Sequence, residues 1–189
     1  MTSTPEVEIN DEPVVPASKT QDKGSKLAVI GAGAVGSACV YASMIKGVAR
    51  EYALFDIVES KVKAEALDIA QGSQFAPVAT VEGSSDMAVI KDADIVVITA
   101  GAKQKPGQSR LDLAGATINI MKDVIPKAVE QAPNAIFLMV ANPVDVVTYA
   151  GLKISGMSPN QFFGSGTVLD SSRLRYLIAQ HCGVSPQTV

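Results

Sequence analysis

The chain has 189 residues, 47% of them hydrophobic, and a formal net charge of −3. Residues 1–24 hold five acidic residues against two lysines and so carry the whole net charge, which leaves the rest of the chain electrically balanced. A balanced body lacks the basic surface that nucleic acid requires, and no apolar run approaches the roughly 18 residues of a membrane span, so we expect neither partner.

Residues 1–24 are predicted to form a disordered acidic tail. Three prolines and few large apolar groups cannot offset the entropy lost on ordering this segment. It has neither the apolar core of a secretory signal nor the arginines of a transit peptide. Cys39 and Cys182 do not form a spaced framework, so we expect reduced thiols and a cytoplasmic location.

Short apolar runs alternate with amphipathic runs along the rest of the chain. We predict strands at 26–31, 52–57, 78–81, 94–99 and 135–141, and helices at 34–47, 59–71, 113–131, 144–155 and 170–182. The predicted strands at 94–99 and 135–141 show no alternation of polar and apolar residues, as expected where both faces of a parallel sheet are covered. The pattern predicts an α/β domain with a doubly wound parallel sheet. An antiparallel α+β domain would need alternating strands and hairpin turns, and we find neither.

A glycine-rich turn, "GAGAVGSACVYA", follows the first strand directly. Gly31 permits the tight turn, Gly33 lets a pyrophosphate approach the backbone, and Gly36 lets the helix pack close to the strand. Asp56 ends the second strand, 20 residues after Gly36. An acid there accepts hydrogen bonds from ribose hydroxyls and repels a 2′-phosphate, although it could instead cap a helix. We therefore predict a Rossmann domain that binds NAD, over residues 25–165.

The stretch "AGAKQKPGQSRLDL", residues 100–113, places three cations after a buried strand. A loop that merely connects two elements has little use for so much positive charge beside a sheet edge. We expect Arg110 to lie on this loop, and the three cations indicate a loop that closes on a ligand. Lys103 and Lys105 are expected to be solvated loop charges.

Five motifs in order resemble the lactate/malate dehydrogenase family, in particular its bacterial L-lactate members. They are "GAGAVGSACVYA", "ITAGAKQKPGQSRLDL", "VANPVDVVTY", "KISGM" and "GSGTVLDSSRLRYL", and the resemblance covers about residues 25–189. It implies an NAD-dependent enzyme that transfers hydride between NADH and pyruvate, giving (S)-lactate. Malate or another 2-hydroxy acid is an alternative substrate, and a non-catalytic NAD-binding fragment is an alternative of a different class.

The resemblance also implies roles for individual residues. Arg173 clamps the substrate carboxylate, Arg110 polarises the keto oxygen, and Asp170 orients the proton-donating histidine. Gln104 is the specificity residue, because a neutral amide suits the methyl group of pyruvate where malate dehydrogenases carry an arginine. The remaining implied contacts are Asn142 and Asp145 for substrate, and Val35, Lys61, Gly101, Ala102, Val140 and Asn142 for coenzyme. Without the resemblance, Asp170 and Arg173 indicate a surface ion pair at i and i+3, and Asn-Pro at 142–143 indicates a turn.

The proton donor is the difficulty, because His181 is the single histidine. Eleven residues of helix separate it from Asp170 and rise roughly 16 Å, so the two cannot pair, and we expect His181 at a helix end. The family places its catalytic histidine in a G-E-H-G-D-like motif downstream of "GVSPQTV". We therefore expect a chain truncated before that histidine, inactive alone, with residues 166–189 opening the catalytic domain.

Assembly and regulation enter through the resemblance alone. Arg175 occupies a position where allosteric bacterial members bind fructose 1,6-bisphosphate across a subunit interface, although non-allosteric relatives also have arginine there. The family forms tetramers or dimers, so we expect a homo-oligomer.

Overall fold

The computed structural model describes residues 25–103, 107 and 109–189. The predicted acidic tail therefore lies outside the described residues. The strands of the described part are β1 (Lys26–Ile30), β2 (Glu51–Phe55), β3 (Thr80–Ser84), β4 (Ile95–Ile98), β5 (Ile136–Met139) and β6 (Phe162–Gly164). Its helices are α1 (Ala34–Ile45), α2 (Glu59–Gln71), α3 (Arg110–Gln131), α4 (Val144–Ser155) and α5 (Val168–Cys182), with short 3₁₀ turns at Ser73–Phe75, Met87–Ile90 and Pro186–Thr188.

The six strands of the described residues form one parallel sheet in the order β3-β2-β1-β4-β5-β6. The chain winds outward from β1 to β3, returns to the other side of β1 as β4, and winds outward again. This confirms the predicted doubly wound sheet. The order reverses between β1 and β4, and in such sheets the carboxyl ends of the strands leave a crevice there.

Apolar residues cover the sheet on both faces. On one face, Met121 and Ile125 of α3 are fully buried in a cluster with Phe137 and Phe162, whose rings stack at a centroid distance of 5.9 Å. On the other face, residues of α1 and α2 pack with alternate residues of β1 and β2. Because both faces are covered, the central strands are apolar at almost every position.

The start of α3 differs from the prediction. The helix begins at Arg110 rather than at residue 113, because Ser109 and Asp112 form a capping box. The Ser109 hydroxyl accepts from the Asp112 N–H, and the Asp112 carboxylate accepts from the Ser109 N–H, each at 3.2 Å. The prediction that Arg110 lies in the preceding loop was therefore wrong: Arg110 is the first residue of a helix.

Other boundaries also moved by up to three residues, and one strand was missed. β3 begins at Thr80 and extends to Ser84, beyond the predicted range of 78–81. β6 has three residues and was not predicted; it pairs with β5 through Phe137 and Phe162. α5 begins two residues before the predicted start. Within the part of the chain that the structure describes, no helix is both long enough and apolar enough to cross a membrane.

Candidate functional site

The turn between β1 and α1 admits no side chain at two of its three glycines. Gly31 has a φ of 111°, and a Cβ there would lie 2.7 Å from the backbone nitrogen of Ala100. A Cβ on Gly36 would overlap the carbonyl oxygen of Gly31. The first helical turn of α1 therefore lies directly against the end of β1, as the sequence predicted.

Gly33 is different, because a Cβ added there would meet no heavy atom within 4 Å. It is the N-cap of α1 and has no side chain, so the space in front of the helix N-terminus stays open. The first N–H groups of a helix lack intrahelical partners and carry a partial positive charge. The open space at Gly33 thus fits the close approach of an anionic group such as a pyrophosphate.

Asp56, at the carboxyl end of β2, is tied to the same turn. One carboxylate oxygen accepts from the N–H of Ala32 at 2.8 Å, and the other accepts from the N–H of Val58 at 3.1 Å. The bond to Val58 lies within the turn before α2, and none of the described side chains caps the N-terminus of that helix. A carboxylate offers about four acceptor positions, so both oxygens can still accept ribose hydroxyls.

A cavity of about 450 Å³ lies at the carboxyl edge of the sheet, over the glycine turn. Nine residues predicted for the coenzyme line it: Gly31, Gly33, Val35, Gly36, Asp56, Lys61, Gly101, Ala102 and Asn142. Lys103, which the sequence assigned to solvent, also lines it. The sequence did not indicate its apolar wall, to which Ile57, Leu113, Ile120 and Val124 contribute.

Thr99, directly after β4, also was not predicted as a site residue. Its hydroxyl lies 3.0 Å from the carbonyl oxygen of Gly31 and 3.2 Å from that of Ile30, with the geometry of a donor to both. The hydroxyl thereby holds the glycine turn against the end of β4. A polar residue closing an otherwise apolar strand was the available signal.

A second cavity, of about 500 Å³, adjoins the first and shares Val35, Thr99, Leu113, Ala141 and Asn142 with it. Arg110 enters it from the start of α3, and Asp170 and Arg173 enter it from α5. Val140, predicted for the coenzyme, lines this second cavity instead. Two separate helices, α3 and α5, therefore place two guanidinium groups beside the first cavity.

Asp170 and Arg173 contact each other within the second cavity. Their side chains form an ion pair at 3.4 Å, with 71% and 66% of their surfaces exposed. This is the i and i+3 pair that spacing alone predicts. An exposed pair of this kind contributes little to stability, so both side chains can exchange their mutual contact for a ligand at small cost.

Two of the predicted site residues that the structure describes do not line these cavities. Asp145, in the first turn of α4, and Arg175, on α5, are exposed and line neither cavity. Gln104 lies outside the described residues.

His181 lies in the last turn of α5, where the sequence predicted it. The helix runs unbroken from Val168 to Cys182 and ends at Gly183 in the left-handed conformation, with a φ of 67°. Asp170 and His181 are thus held three turns apart and cannot form a hydrogen bond. The prediction for this pair is confirmed.

Comparisons with known proteins agree on one family. The family model described as "lactate/malate dehydrogenase, NAD binding domain" matches residues 25–164. An L-lactate dehydrogenase of Bifidobacterium animalis subsp. lactis is 58% identical over 167 residues, which are 88% of this chain and 52% of the relative. An L-lactate dehydrogenase of Clostridium perfringens is 44% identical over 169 residues, 89% of this chain and 53% of the relative.

Solved structures give the same result. A minor L-lactate dehydrogenase of Enterococcus mundtii, solved with ligands bound, superposes with a TM-score of 0.80 at 35% identity, over 86% of this chain and 52% of that one. A lactate dehydrogenase from a deep-sea metagenome gives 0.79 at 39% identity, with the same coverage of both chains. The chain spans about half the length of the relatives it matches. It belongs to the lactate/malate dehydrogenase family and carries that family's NAD-binding domain.

Proposed function

We propose that this chain supplies the coenzyme site and one wall of the substrate site of an NAD-dependent L-lactate dehydrogenase, which interconverts pyruvate and (S)-lactate. One observation carries the proposal: Arg110 and Arg173 line a cavity that adjoins the dinucleotide cavity. Two cations beside a nicotinamide site suit a substrate with a carboxylate and a polarisable oxygen. The names of the relatives favour lactate over other 2-hydroxy acids.

The protein's own groups would bind and polarise the substrate. The planar guanidinium of Arg173 pairs with the substrate carboxylate through two parallel hydrogen bonds. Arg110 directs its N–H groups at the keto oxygen and stabilises the negative charge that develops there. Asn142, between the two cavities, offers an amide to the same oxygen. When bound, NADH supplies the hydride.

The coenzyme site favours NAD over NADP in this proposal. Asp56 would accept hydrogen bonds from the ribose hydroxyls and repel a 2′-phosphate. Gly33 leaves room for the pyrophosphate at the start of α1. Lys61 and Val35 line the same cavity and complete the contacts proposed on the adenosine side.

Location and assembly are parts of the same proposal. Cys39 and Cys182 are both free thiols, which suits a reducing cytoplasm. Leu174, Leu177 and Ile178 are exposed on α5, a face that suits burial against further protein in a homo-oligomer. Fructose 1,6-bisphosphate is proposed as an activator acting at Arg175, and unchanged pyruvate affinity on titrating an active full-length enzyme with it would overturn that part.

Coenzyme titration tests the proposal directly. We expect the 189-residue chain to enhance NADH fluorescence on binding, and to bind NADH at least about tenfold more tightly than NADPH because of the Asp56 charge. Pyruvate turnover by this polypeptide should be negligible, because His181 lines neither cavity. Absence of NADH binding, or equal affinity for NADPH, would contradict the coenzyme assignment.

Substrate choice needs a second comparison. A protein of the relatives' length that contains this sequence should reduce pyruvate with a higher kcat/KM than oxaloacetate. The reverse preference would indicate a malate dehydrogenase. Coenzyme binding without reduction of either keto acid would favour a non-catalytic NAD-binding module.

A further inference from the structure

Among the residues that the structure describes, Thr117 is the one buried residue with a polar non-aromatic side chain, and its exposure is 0%. It lies on α3, two turns after the helix begins. Burying a hydroxyl costs free energy unless a hydrogen bond replaces the one to water. A threonine in this position therefore calls for a specific partner.

That partner is the turn that follows β4. The backbone N–H of Ala102 donates to the Thr117 hydroxyl oxygen at 3.3 Å. The neighbouring Gly101 packs on the same side chain, since a Cβ there would lie 3.3 Å from the Thr117 methyl carbon. Gly101 and Ala102 both line the coenzyme cavity, whereas Thr117 does not. Thr117 thus contacts the backbone behind the wall of the coenzyme site.

The position of Thr117 on α3 links this wall to the second cavity. Seven residues separate Thr117 from Arg110, and seven residues turn a helix through about 700°, which returns nearly to the same face. Leu113, between them on that face, lines both cavities. The bond from Ala102 therefore fixes the face of α3 that carries Arg110 against the turn that borders the coenzyme.

We propose that Thr117 is a positioning residue for this site. Its hydroxyl fixes the Gly101–Ala102 backbone at the wall of the coenzyme cavity and, through α3, sets the distance between that wall and Arg110. The inference rests on the proposed function for the coenzyme that occupies the cavity. According to this inference, a buried side chain that lines neither cavity contributes to the affinity of the first cavity for NADH.

Two substitutions separate the hydrogen bond from packing. Thr117→Val keeps the shape and removes the acceptor, and we expect it to weaken NADH binding about threefold to tenfold, the effect of losing a neutral hydrogen bond. Thr117→Ser keeps the hydroxyl and should bind NADH within about twofold of the unmodified chain. Thr148→Val is the matched control, because the buried Thr148 hydroxyl has no partner and lines neither cavity. It should leave NADH affinity unchanged.

Amide hydrogen exchange supplies a readout that needs no coenzyme and no Val variant. In the unmodified chain and in Thr117→Ser, the Ala102 N–H should exchange at least about tenfold more slowly than an open amide. Rapid exchange of that amide in the unmodified chain would overturn the inference even if Thr117→Val failed to fold. An unchanged NADH affinity in a folded Thr117→Val variant would also overturn the inference. So would an equal loss of NADH affinity in the Val and Ser variants. If the unmodified chain failed to bind NADH, the proposed function would fall, while the exchange measurement would still decide the Thr117 contact.

Discussion

The two adjoining cavities differ in the groups that line them. The coenzyme cavity is floored by backbone: Gly31 and Gly36 are fixed by contacts that exclude any side chain, and Asp56 is bonded to two backbone N–H groups. The second cavity also has an apolar lining, but it carries the charged side chains of Arg110, Asp170 and Arg173. The Asp170–Arg173 pair is largely exposed, and the bond within it is long.

This difference separates stability from recognition. A cavity made of closely packed backbone cannot be altered without disturbing the fold, because the same atoms make the site and the core. Exposed charged side chains beside a cavity can be altered at small cost to stability, because water replaces what is removed. Substitutions on the two sides should therefore differ in kind, and three of them test this, beginning with the largest effect.

Gly36→Ala should be the most damaging change. The added methyl group would overlap the Gly31 carbonyl oxygen, and overpacking against backbone costs about 3 kcal/mol or more. We expect the Tm to fall by about 6–12 °C and NADH affinity to fall at least about tenfold. Differential scanning calorimetry and a fluorescence titration measure the two effects.

Gly115→Ala is the matched control for this substitution. A Cβ on Gly115 meets nothing within 4 Å, and the residue is exposed in the interior of α3. Replacing a helical glycine by alanine stabilises by roughly 0.5–1 kcal/mol, so the Tm should rise by about 1–4 °C. A similar fall in Tm for both variants would show that the tight turn is not the cause.

Asp56→Ala should have the second largest effect and act on both the turn and the coenzyme. It removes a charged acceptor from the N–H groups of Ala32 and Val58, and hydrogen bonds to charged groups contribute about 1.5–3 kcal/mol. We expect NADH affinity to fall about tenfold to hundredfold and the preference over NADPH to shrink.

Asp56→Asn separates the two contributions, because the amide keeps an oxygen acceptor without the charge. It should lose most of the discrimination against NADPH while keeping a Tm above that of Asp56→Ala. Titration with both coenzymes and a melting curve give the comparison. Undiminished discrimination in Asp56→Asn would refute the role of the charge.

Arg173→Gln should have the smallest effect on the fold and on the coenzyme. Its ion pair is exposed and contributes about 0.5 kcal/mol or less, so the Tm should change by less than about 2 °C. NADH affinity should stay within about twofold, because Arg173 lines the second cavity and not the first. Pyruvate binding to the NADH complex should weaken at least about tenfold. A large loss of NADH affinity would contradict the division between the cavities.

Much of the coenzyme side could be predicted from the sequence because its determinants are local and steric. The spacing of Gly31, Gly33 and Gly36 after an apolar strand has few other uses, and an acid at the end of the next strand completes the pattern. What could not be read was the bond from Ala32 to Asp56, because it joins two turns that are 24 residues apart in the chain and meet only when β1 and β2 pair.

The remaining differences have their own physical reasons. The start of α3 was missed because Asp112 stands where a capping box usually has glutamate or glutamine. β6 was missed because a strand of three residues, of which one is buried, is too short to show an alternation of apolar and polar positions. Thr117 was invisible because threonine on an amphipathic helix ordinarily indicates a surface, and its partner Ala102 is fifteen residues away.

The reversal of strand order between β1 and β4 has an evolutionary consequence. The crevice at the carboxyl ends of these strands arises from the path of the chain and does not depend on which side chains line it. Substitutions at the charged positions of the second cavity can therefore change what binds there without closing the crevice. A protein that keeps this strand order keeps the crevice, and substitutions among the residues that line the crevice are enough to change the chemistry of the site.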